Sequence, residues 1–169
     1  MTTKRLFFAL WPDNRQRDQL RDVINTVAKT VEGKAVDRRL WHVTLAYIGE
    51  FEERRIPELQ SLVARVQMES FRLMFDRLEF WARPRTACLV AATVPVELES
   101  LVASLNRVIA DVGVIPEDRS FRPHITVSRG ARAFATERLT QRMTTEWSGF
   151  ELMESVSGPG GVNYVPLKQ

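Results

Sequence analysis

Apolar positions recur along this chain in two periods, one typical of strands and the other of helices. Short apolar or alternating runs predict strands, and apolar residues three or four positions apart predict amphipathic helices. The predicted strands are Arg5–Leu10, Trp41–Ile48, a long bent or bulged strand over Phe71–Phe80, Ala87–Val94, Ile125–Ser128, Phe150–Val156 and Asn163–Leu167. The predicted helices have apolar faces within Leu20–Val31, Ile56–Val66, Val102–Val112 and, more weakly, Ala135–Trp147.

Turn and cap residues separate these elements. Asp13 is the expected N-cap of the first helix, and Gly33 and Gly113 are expected to end the first and third helices. Gly49 closes the second predicted strand. The resulting order is strand, helix, strand, helix, strands, given twice, which predicts a duplicated α+β unit with pseudo-twofold symmetry.

Size and composition predict an ordinary globular protein. The 169 residues are 44% hydrophobic and 27% charged, which suits a single domain over residues 1–169 made of two intimate lobes. No apolar run reaches the length of a membrane span. We interpret the first ten residues as a strand and not as a signal peptide. Cys88 is the only cysteine, so no internal disulfide can form, and we expect a cytoplasmic protein.

Basic residues concentrate near the only two histidines. The chain has 24 basic residues, a net charge of +3 and a pI near 9.4. The arginines close to the histidines are Arg38, Arg39, Arg119, Arg122, Arg129 and Arg132. This clustering indicates an anionic ligand, although a solvated charged surface would explain any one of these arginines.

The two histidines occupy matching frames about half a chain length apart. One reads His42-Val43-Thr44-Leu45, and the other reads His124-Ile125-Thr126-Val127. Residues i and i+2 of a strand share a face, so each histidine lies beside its threonine. If the two strands meet at the twofold, two imidazoles and two hydroxyls converge on one cleft.

That arrangement suits a phosphate flanked by two oxygens that gain or lose protons. One neutral imidazole can accept a proton and one imidazolium can donate a proton. Hydroxyls and a guanidinium can hold the non-bridging oxygens. A single histidine in a strand is more often a packing or surface residue, and a zinc site would need a third or fourth ligand that the chain does not offer beside the pair.

With both motifs in view, the sequence resembles the two-histidine (2H) phosphoesterase superfamily, which is defined by two His-x-Thr-x motifs. The match is nearest to the RNA 2′,3′-cyclic phosphodiesterases, historically called 2′–5′ RNA ligases. The matching segments are Arg5–Ala9, His42–Glu50, Phe121–Arg129 and Tyr164–Leu167. Two such motifs in this context are a specific signal.

The resemblance implies a bilobal α+β fold, with two small antiparallel sheets backed by helices around a central cleft. It implies hydrolysis of a terminal 2′,3′-cyclic phosphate on RNA to a 2′-phosphate, with His42 as general acid and His124 as general base. Thr44, Thr126 and Arg129 carry over as phosphate ligands. Neither a metal nor a nucleotide cofactor is expected, the partner is an RNA end, and the chain is expected to be a monomer.

The chain departs from the family pattern in its aromatic residues. Family members often carry a tryptophan on the strand that corresponds to Ala87–Ala92, and this chain has none there. Phe8, Trp11 and Tyr47 are the candidates to stack on a terminal base, although a core role fits each of them as well. Two other functions stay open: hydrolysis of small cyclic phosphates such as cyclic nucleotides or ADP-ribose cyclic phosphate, and RNA-end binding without turnover.

Overall fold

The computed structural model describes residues 1–168 and contains nine strands and three α-helices, so the expected domain end at Gln169 lies outside the described residues. The strands are β1 Thr3–Leu10, β2 Lys34–Ala35, β3 Val43–Glu52, β4 Phe71–Trp81, β5 Thr86–Val90, β6 His124–Arg129, β7 Glu137–Trp147, β8 Glu151–Gly158 and β9 Gly161–Pro166. The helices are α1 Asn14–Lys29, α2 Ile56–Val63 and α3 Val96–Asp111.

The strands form two antiparallel sheets. The first sheet has the order β3-β1-β8-β9, and the second has the order β2-β6-β5-β4-β7. The first sheet therefore combines strands from both ends of the described chain. Along β1, Leu6, Phe8 and Leu10 are fully buried in the main core, while Phe7 and Ala9 lie on the opposite face. The predicted α+β class with two antiparallel sheets is confirmed.

The helices cross between the sheets. Helix α1 follows β1 of the first sheet but packs against β6 and β7 of the second sheet. Helix α3 follows β5 of the second sheet but packs against β3 of the first. The predicted N-cap of α1 is confirmed, because Asp13 Oδ1 accepts a hydrogen bond from the Gln16 amide at 2.8 Å. Each sheet thus depends for its cover on a helix that follows a strand of the other sheet.

The helix predicted over Ala135–Trp147 is wrong, because this segment forms β7. The strand pairs with β4 in a register that places Phe71 opposite Trp147. Leu139, Met143 and Trp147 are four residues apart, a spacing that fits one face of a helix and one face of a strand alike. Thr145, two residues before Trp147, is also buried, which fits the strand period only. The second half of the chain therefore does not repeat the element order of the first.

Smaller differences concern element ends. Strand β3 continues past Gly49, whose φ of +84° lies in the left-handed region, and runs on to Glu52. Strand β5 ends at Val90 and not at Val94. The long strand predicted over Phe71–Phe80 is confirmed, with a register irregularity against β7. No helix within residues 1–168 is long and apolar enough to cross a membrane.

Candidate active site

The two histidine motifs lie on neighbouring strands of different sheets. His42 directly precedes β3, which is an edge strand of the first sheet, and His124 is the first residue of β6 in the second. Strands β3 and β6 contact each other. Both histidines and both threonines are half-buried, whereas the intervening aliphatic residues are buried in the core: Val43, Leu45, Ile125 and Val127. The predicted alternation of the motif strands is confirmed.

Each motif strand carries a bulge at the same distance from its histidine. The pairing of β3 with β1 passes from Thr44 to Ala46, and the pairing of β6 with β5 passes from Thr126 to Ser128. A bulge adds one residue to a strand and so shifts the alternation of faces. Strict alternation would place the fifth residue after each histidine on the core face.

The matching bulges bring Tyr47 and Arg129 to the cleft. Tyr47 is 38% exposed, and Arg129 is exposed as well. The two residues beneath each bulge are buried instead, namely Leu45 and Ala46 in one strand and Val127 and Ser128 in the other. The sequence places Tyr47 and Arg129 at equivalent positions, and the bulges explain how both reach the same cleft.

The cleft consists of two cavities that meet at shared residues. The larger, about 1410 Å³, is bordered by His42, and the smaller, about 450 Å³, is bordered by His124 and Thr126. The two cavities share four lining residues: Thr44, Tyr47, Pro84 and Arg129. The five residues predicted as site residues from the sequence therefore line one continuous cleft.

His42 lies among aromatic rings. Its ring is stacked on Trp11 at 5.5 Å between centroids and meets Tyr164 edge-on at 4.9 Å. Its Nδ1 donates to the Leu40 carbonyl at 2.7 Å, so its Nε2 accepts from the Thr44 hydroxyl at 3.1 Å. Burial among these rings lowers the pKa of His42 to about 4. The hydrogen bond to the Leu40 carbonyl opposes this shift, and the charges of His124, Arg129 and Arg17 add to it.

His124 has the same backbone hydrogen bond but different surroundings. Its Nδ1 donates to the Arg122 carbonyl at 2.8 Å, again two residues upstream. Its ring lies 4.1 Å from the Trp81 ring. Burial lowers the pKa of His124, the charges of Arg122 and Arg119 lower it further, and the Glu79 carboxylate opposes them. At neutral pH both free imidazoles are therefore bases, each with a fixed tautomer.

The two threonines are held differently. Thr44 donates to His42, whereas the Thr126 hydroxyl lies 4.0 Å from the sulfur of Cys88. Cys88 is fully buried, and burial raises the pKa of its thiol. Within residues 1–168, no three His, Cys, Asp or Glu side chains form a group that could hold a metal ion.

Most of the arginines near the motifs are already paired with carboxylates. The ion pairs are Arg38 with Asp18, Arg39 with Asp37, Arg119 with Glu117, Arg122 with Glu79, and Arg132 with Glu32. Arg129 has no carboxylate partner among residues 1–168 and lines both cavities. Among these six arginines, Arg129 is therefore the one whose guanidinium lies at the junction of the cavities without a carboxylate partner in the described residues.

The three aromatic residues that the sequence suggested for base stacking have different surroundings. Phe8 is fully buried in the core and cannot contact a base, whereas Trp11 packs on His42 and Tyr47 lines the cleft. Sequence reasoning missed Trp81 and Tyr164, which contact His124 and His42. Trp81 stands at the end of β4, directly before the Arg83-Pro84-Arg85 turn, and that position offered a signal because strand ends next to turns often border clefts.

Comparisons with known proteins agree with this geometry. The model of the 2′-5′ RNA ligase superfamily matches residues 12–154. The chain is 30% identical over 170 residues to the RNA 2′,3′-cyclic phosphodiesterase of Escherichia coli (strain K12), which covers 98% of this chain and 95% of the relative. It is also 30% identical over 162 residues to the RNA 2′,3′-cyclic phosphodiesterase of Aeropyrum pernix, covering 88% and 90% of the two chains.

The fold also matches solved structures. The crystal structure of E. coli LigT complexed with 3′-AMP matches with a TM-score of 0.86 at 28% identity, covering 99% of this chain and 97% of that one. The family match spans most of the chain and includes both histidine motifs. The chain belongs to the 2′-5′ RNA ligase superfamily.

Proposed function

We propose that this protein hydrolyses the terminal 2′,3′-cyclic phosphate of RNA to a 2′-phosphate. The observation that carries the proposal is the meeting of two imidazoles, two hydroxyls and the unpaired Arg129 along one cleft. The similarity to proteins named RNA 2′,3′-cyclic phosphodiesterase supports the same reaction. These side chains and one water molecule account for every proton transfer and bond change of the reaction.

In the proposed mechanism, His124 acts as general base and His42 as general acid. Nε2 of His124 takes a proton from a water molecule, and the water oxygen attacks phosphorus. The bond from phosphorus to the 3′-oxygen breaks, and Nε2 of His42 gives its proton to that oxygen. Thr44, Thr126 and Arg129 hold the non-bridging oxygens and stabilise the charge that develops on them.

The low pKa of His42 makes its protonation depend on the substrate. A phosphodiester brings a negative charge beside a partly buried imidazole, which favours the imidazolium form. Once Nε2 carries a proton it no longer accepts from Thr44, whose hydroxyl is then free to donate to the phosphate. The substrate thus prepares its own general acid.

The same site supports a second outcome, ligation, in which an RNA hydroxyl takes the place of water and gives its proton to His124. If the 5′-hydroxyl of a second RNA replaces water, its oxygen attacks phosphorus, the 3′-oxygen leaves, and a 2′–5′ bond forms without ATP. The junction residues Thr44 and Arg129 would hold the phosphate while the two cavities hold groups on either side.

The acid and base can be assigned by replacing the 3′-oxygen with sulfur in a cyclic phosphorothiolate. Sulfur leaves without protonation, so a variant lacking the general acid should recover on this substrate. We expect His42→Ala and His124→Ala each to lower turnover of the oxygen substrate by about 10²- to 10⁴-fold. Only His42→Ala should recover with sulfur. Recovery of His124→Ala alone would reverse the assignment, and near-normal turnover of either variant on the oxygen substrate would contradict the function.

The smaller cavity favours a second candidate, a phosphodiesterase for small cyclic phosphates. Its volume of about 450 Å³ is that of a site for one small ligand. The larger cavity, about 1410 Å³, exceeds that need and suits an RNA end. Relative kcat/KM values on a cyclic mononucleotide and on an oligonucleotide with the same end decide between them.

We further propose that the protein acts as a monomer in the cytoplasm. The five proposed site residues all belong to this chain, so the proposed chemistry requires no residue of a second copy. Cys88 is the single cysteine, so the chain cannot form the internal disulfides that are common in exported proteins. Sedimentation velocity should give a particle near 19.4 kDa, and cell fractionation tests the location.

A further inference from the structure

His124 is part of a closed cycle of contacts with Trp81, Glu79 and Arg122. Trp81 Nε1 donates to Glu79 Oε2 at 3.0 Å, and the Trp81 ring lies 4.1 Å from the His124 ring. His124 Nδ1 donates to the carbonyl of Arg122. The guanidinium of Arg122 returns to Glu79, with Nη2 2.8 Å from Oε1 and 2.7 Å from Oε2.

Glu79 is the buried carboxylate of this cycle. It is 9% exposed, so its carboxylate needs partners, and Arg122 and Trp81 supply them. Strand register places it in one row with Cys88 and Thr126, because Glu79 is opposite Cys88 and Cys88 is opposite Thr126. The carboxylate therefore lies on the cleft side of the second sheet, behind the residues that border the phosphate position.

Arg122 depends on Glu79 for its placement. Its side chain is about half exposed, and it packs over the Trp81 ring at 5.4 Å while it pairs with the carboxylate. Without the carboxylate the guanidinium would lose its ion pair and keep only its packing over the Trp81 ring, and the indole would lose the hydrogen-bond acceptor that Glu79 supplies. Both groups border the smaller cavity.

We propose that Glu79 is a positioning residue for His124: it anchors the indole that packs against the imidazole and the guanidinium of the residue whose carbonyl fixes the imidazole tautomer. It does not touch the substrate. The inference deepens the proposed function and rests on it for its kinetic consequences, whereas the geometry of His124 can be tested without turnover.

The charges facing His124 determine in which direction its pKa should shift when one of them is removed. They come from the loop before β6, from β4 and its following turn, from β6 itself and from the residue before β3 across the cleft: Arg119 paired with Glu117, Arg122, Glu79, Arg83, Arg129 and His42. Glu79 is the carboxylate in this set that favours protonation of His124, and Arg122 opposes it. Removing one or the other should therefore move the titration of His124 in opposite directions.

The first test is an NMR titration of the histidine Cε1–Hε1 signals in the free protein. The chain has only two histidines, so His42→Ala assigns both signals. We expect Glu79→Gln to lower the pKa of His124 and Arg122→Met to raise it. Glu146→Gln, which removes an exposed carboxylate at the far end of the β4–β7 pair, should leave the pKa unchanged. Arg122→Met alters a half-exposed side chain and so gives a readout even if Glu79→Gln fails to fold.

The second test separates positioning from binding. On cyclic-phosphate RNA, Glu79→Gln should lower kcat by about 10- to 100-fold with little change in KM, as expected when a reacting group is misplaced by about 1 Å. Glu79→Asp, which keeps the charge, should recover part of the loss. An unchanged His124 titration in Glu79→Gln, or shifts of the same sign in Glu79→Gln and Arg122→Met, would overturn the proposal. If the titration shifts are observed but the unmodified protein does not turn over cyclic-phosphate RNA, the result would contradict the proposed function alone.

Discussion

Single residues give the two histidines the same hydrogen bond but different environments. Each donates from Nδ1 to the carbonyl two residues upstream, so each presents Nε2 as the reactive nitrogen. Three aromatic rings surround His42, whereas a tryptophan and a charged pair surround His124. The near-symmetric motifs thus acquire distinct acid–base properties from side chains outside the motifs.

The pKa of His42 leads to a prediction about ligand binding. In the free protein its NMR signal should titrate with a midpoint near 4, because burial disfavours the charged ring. A bound 2′-nucleotide adds negative charge beside the ring and should raise that midpoint. By linkage, the same nucleotide should bind more tightly as the pH falls from the midpoint of the bound form toward the free midpoint of about 4. A midpoint that the nucleotide does not move would contradict the proposed preparation of the acid by its substrate.

What the sequence could predict at this scale was local. His42, Thr44, His124 and Thr126 are recognisable because each pair lies within three residues. The partner of Arg122 is Glu79, 43 residues away, and only the pairing of β4, β5 and β6 brings them together. For that reason the charge pattern alone did not distinguish the unpaired Arg129 from its paired neighbours, and only the family resemblance singled it out.

Among the elements, the short strand β2 helps to place Arg129 although it has only two residues. Its two residues pair with the end of β6, Lys34 with Arg129 and Ala35 with Ser128. This pairing covers the bulge that directs Arg129 into the cleft. Gly33 precedes β2 so closely that an ideal Cβ on it would lie 2.6 Å from Ser128 Oγ and 2.9 Å from the Arg129 carbonyl oxygen.

We therefore expect Gly33→Ala to push β2 away from β6. The overpacking should cost about 1–3 kcal/mol of unfolding free energy, measured by urea titration, and should lower kcat/KM by displacing Arg129. Gly149→Ala is the matched control, because a Cβ on Gly149 meets nothing within 4 Å and its backbone has no positive φ. Equal stability and activity of the two variants would show that β2 does not position Arg129.

Strand β7 shows why one element could not be assigned from its pattern. Apolar residues four apart satisfy a helix and a strand together, and the strand is distinguished only by its pairing with β4 and by the burial of Thr145, two residues before Trp147. The bulges of β3 and β6 were invisible for a related reason, since a one-residue irregularity leaves the apolar pattern almost unchanged. The long strand β4, by contrast, carried its change of phase in the sequence, and the prediction there is confirmed.

At the scale of the molecule, the exchange of helices ties the two sheets into one structure. Helix α1 packs on the second sheet and α3 on the first, and the chain end returns to the first sheet as β8 and β9. The main hydrophobic cluster includes residues of both sheets. We therefore propose that the two halves, each with one histidine motif, form a single cooperative unit.

Cooperative unfolding is testable with two probes. Tryptophan fluorescence reports on buried Trp41 beside β3 and on buried Trp147 in β7, and far-ultraviolet circular dichroism reports on the whole backbone. The two urea transitions should coincide, with one midpoint and one slope. Separate midpoints would indicate that the sheets unfold independently and that the exchange of helices does not couple them.

The central claim is that paired histidines open a terminal cyclic phosphate without a metal. The most direct measurement is to incubate the purified protein, in EDTA, with a short RNA ending in a 2′,3′-cyclic phosphate and to resolve the 2′- and 3′-phosphate products. We expect conversion to the 2′-phosphate alone, and loss of that product in His42→Ala and His124→Ala. Formation of the 3′-phosphate, activity that requires added zinc, or binding of the RNA with no conversion would contradict the claim.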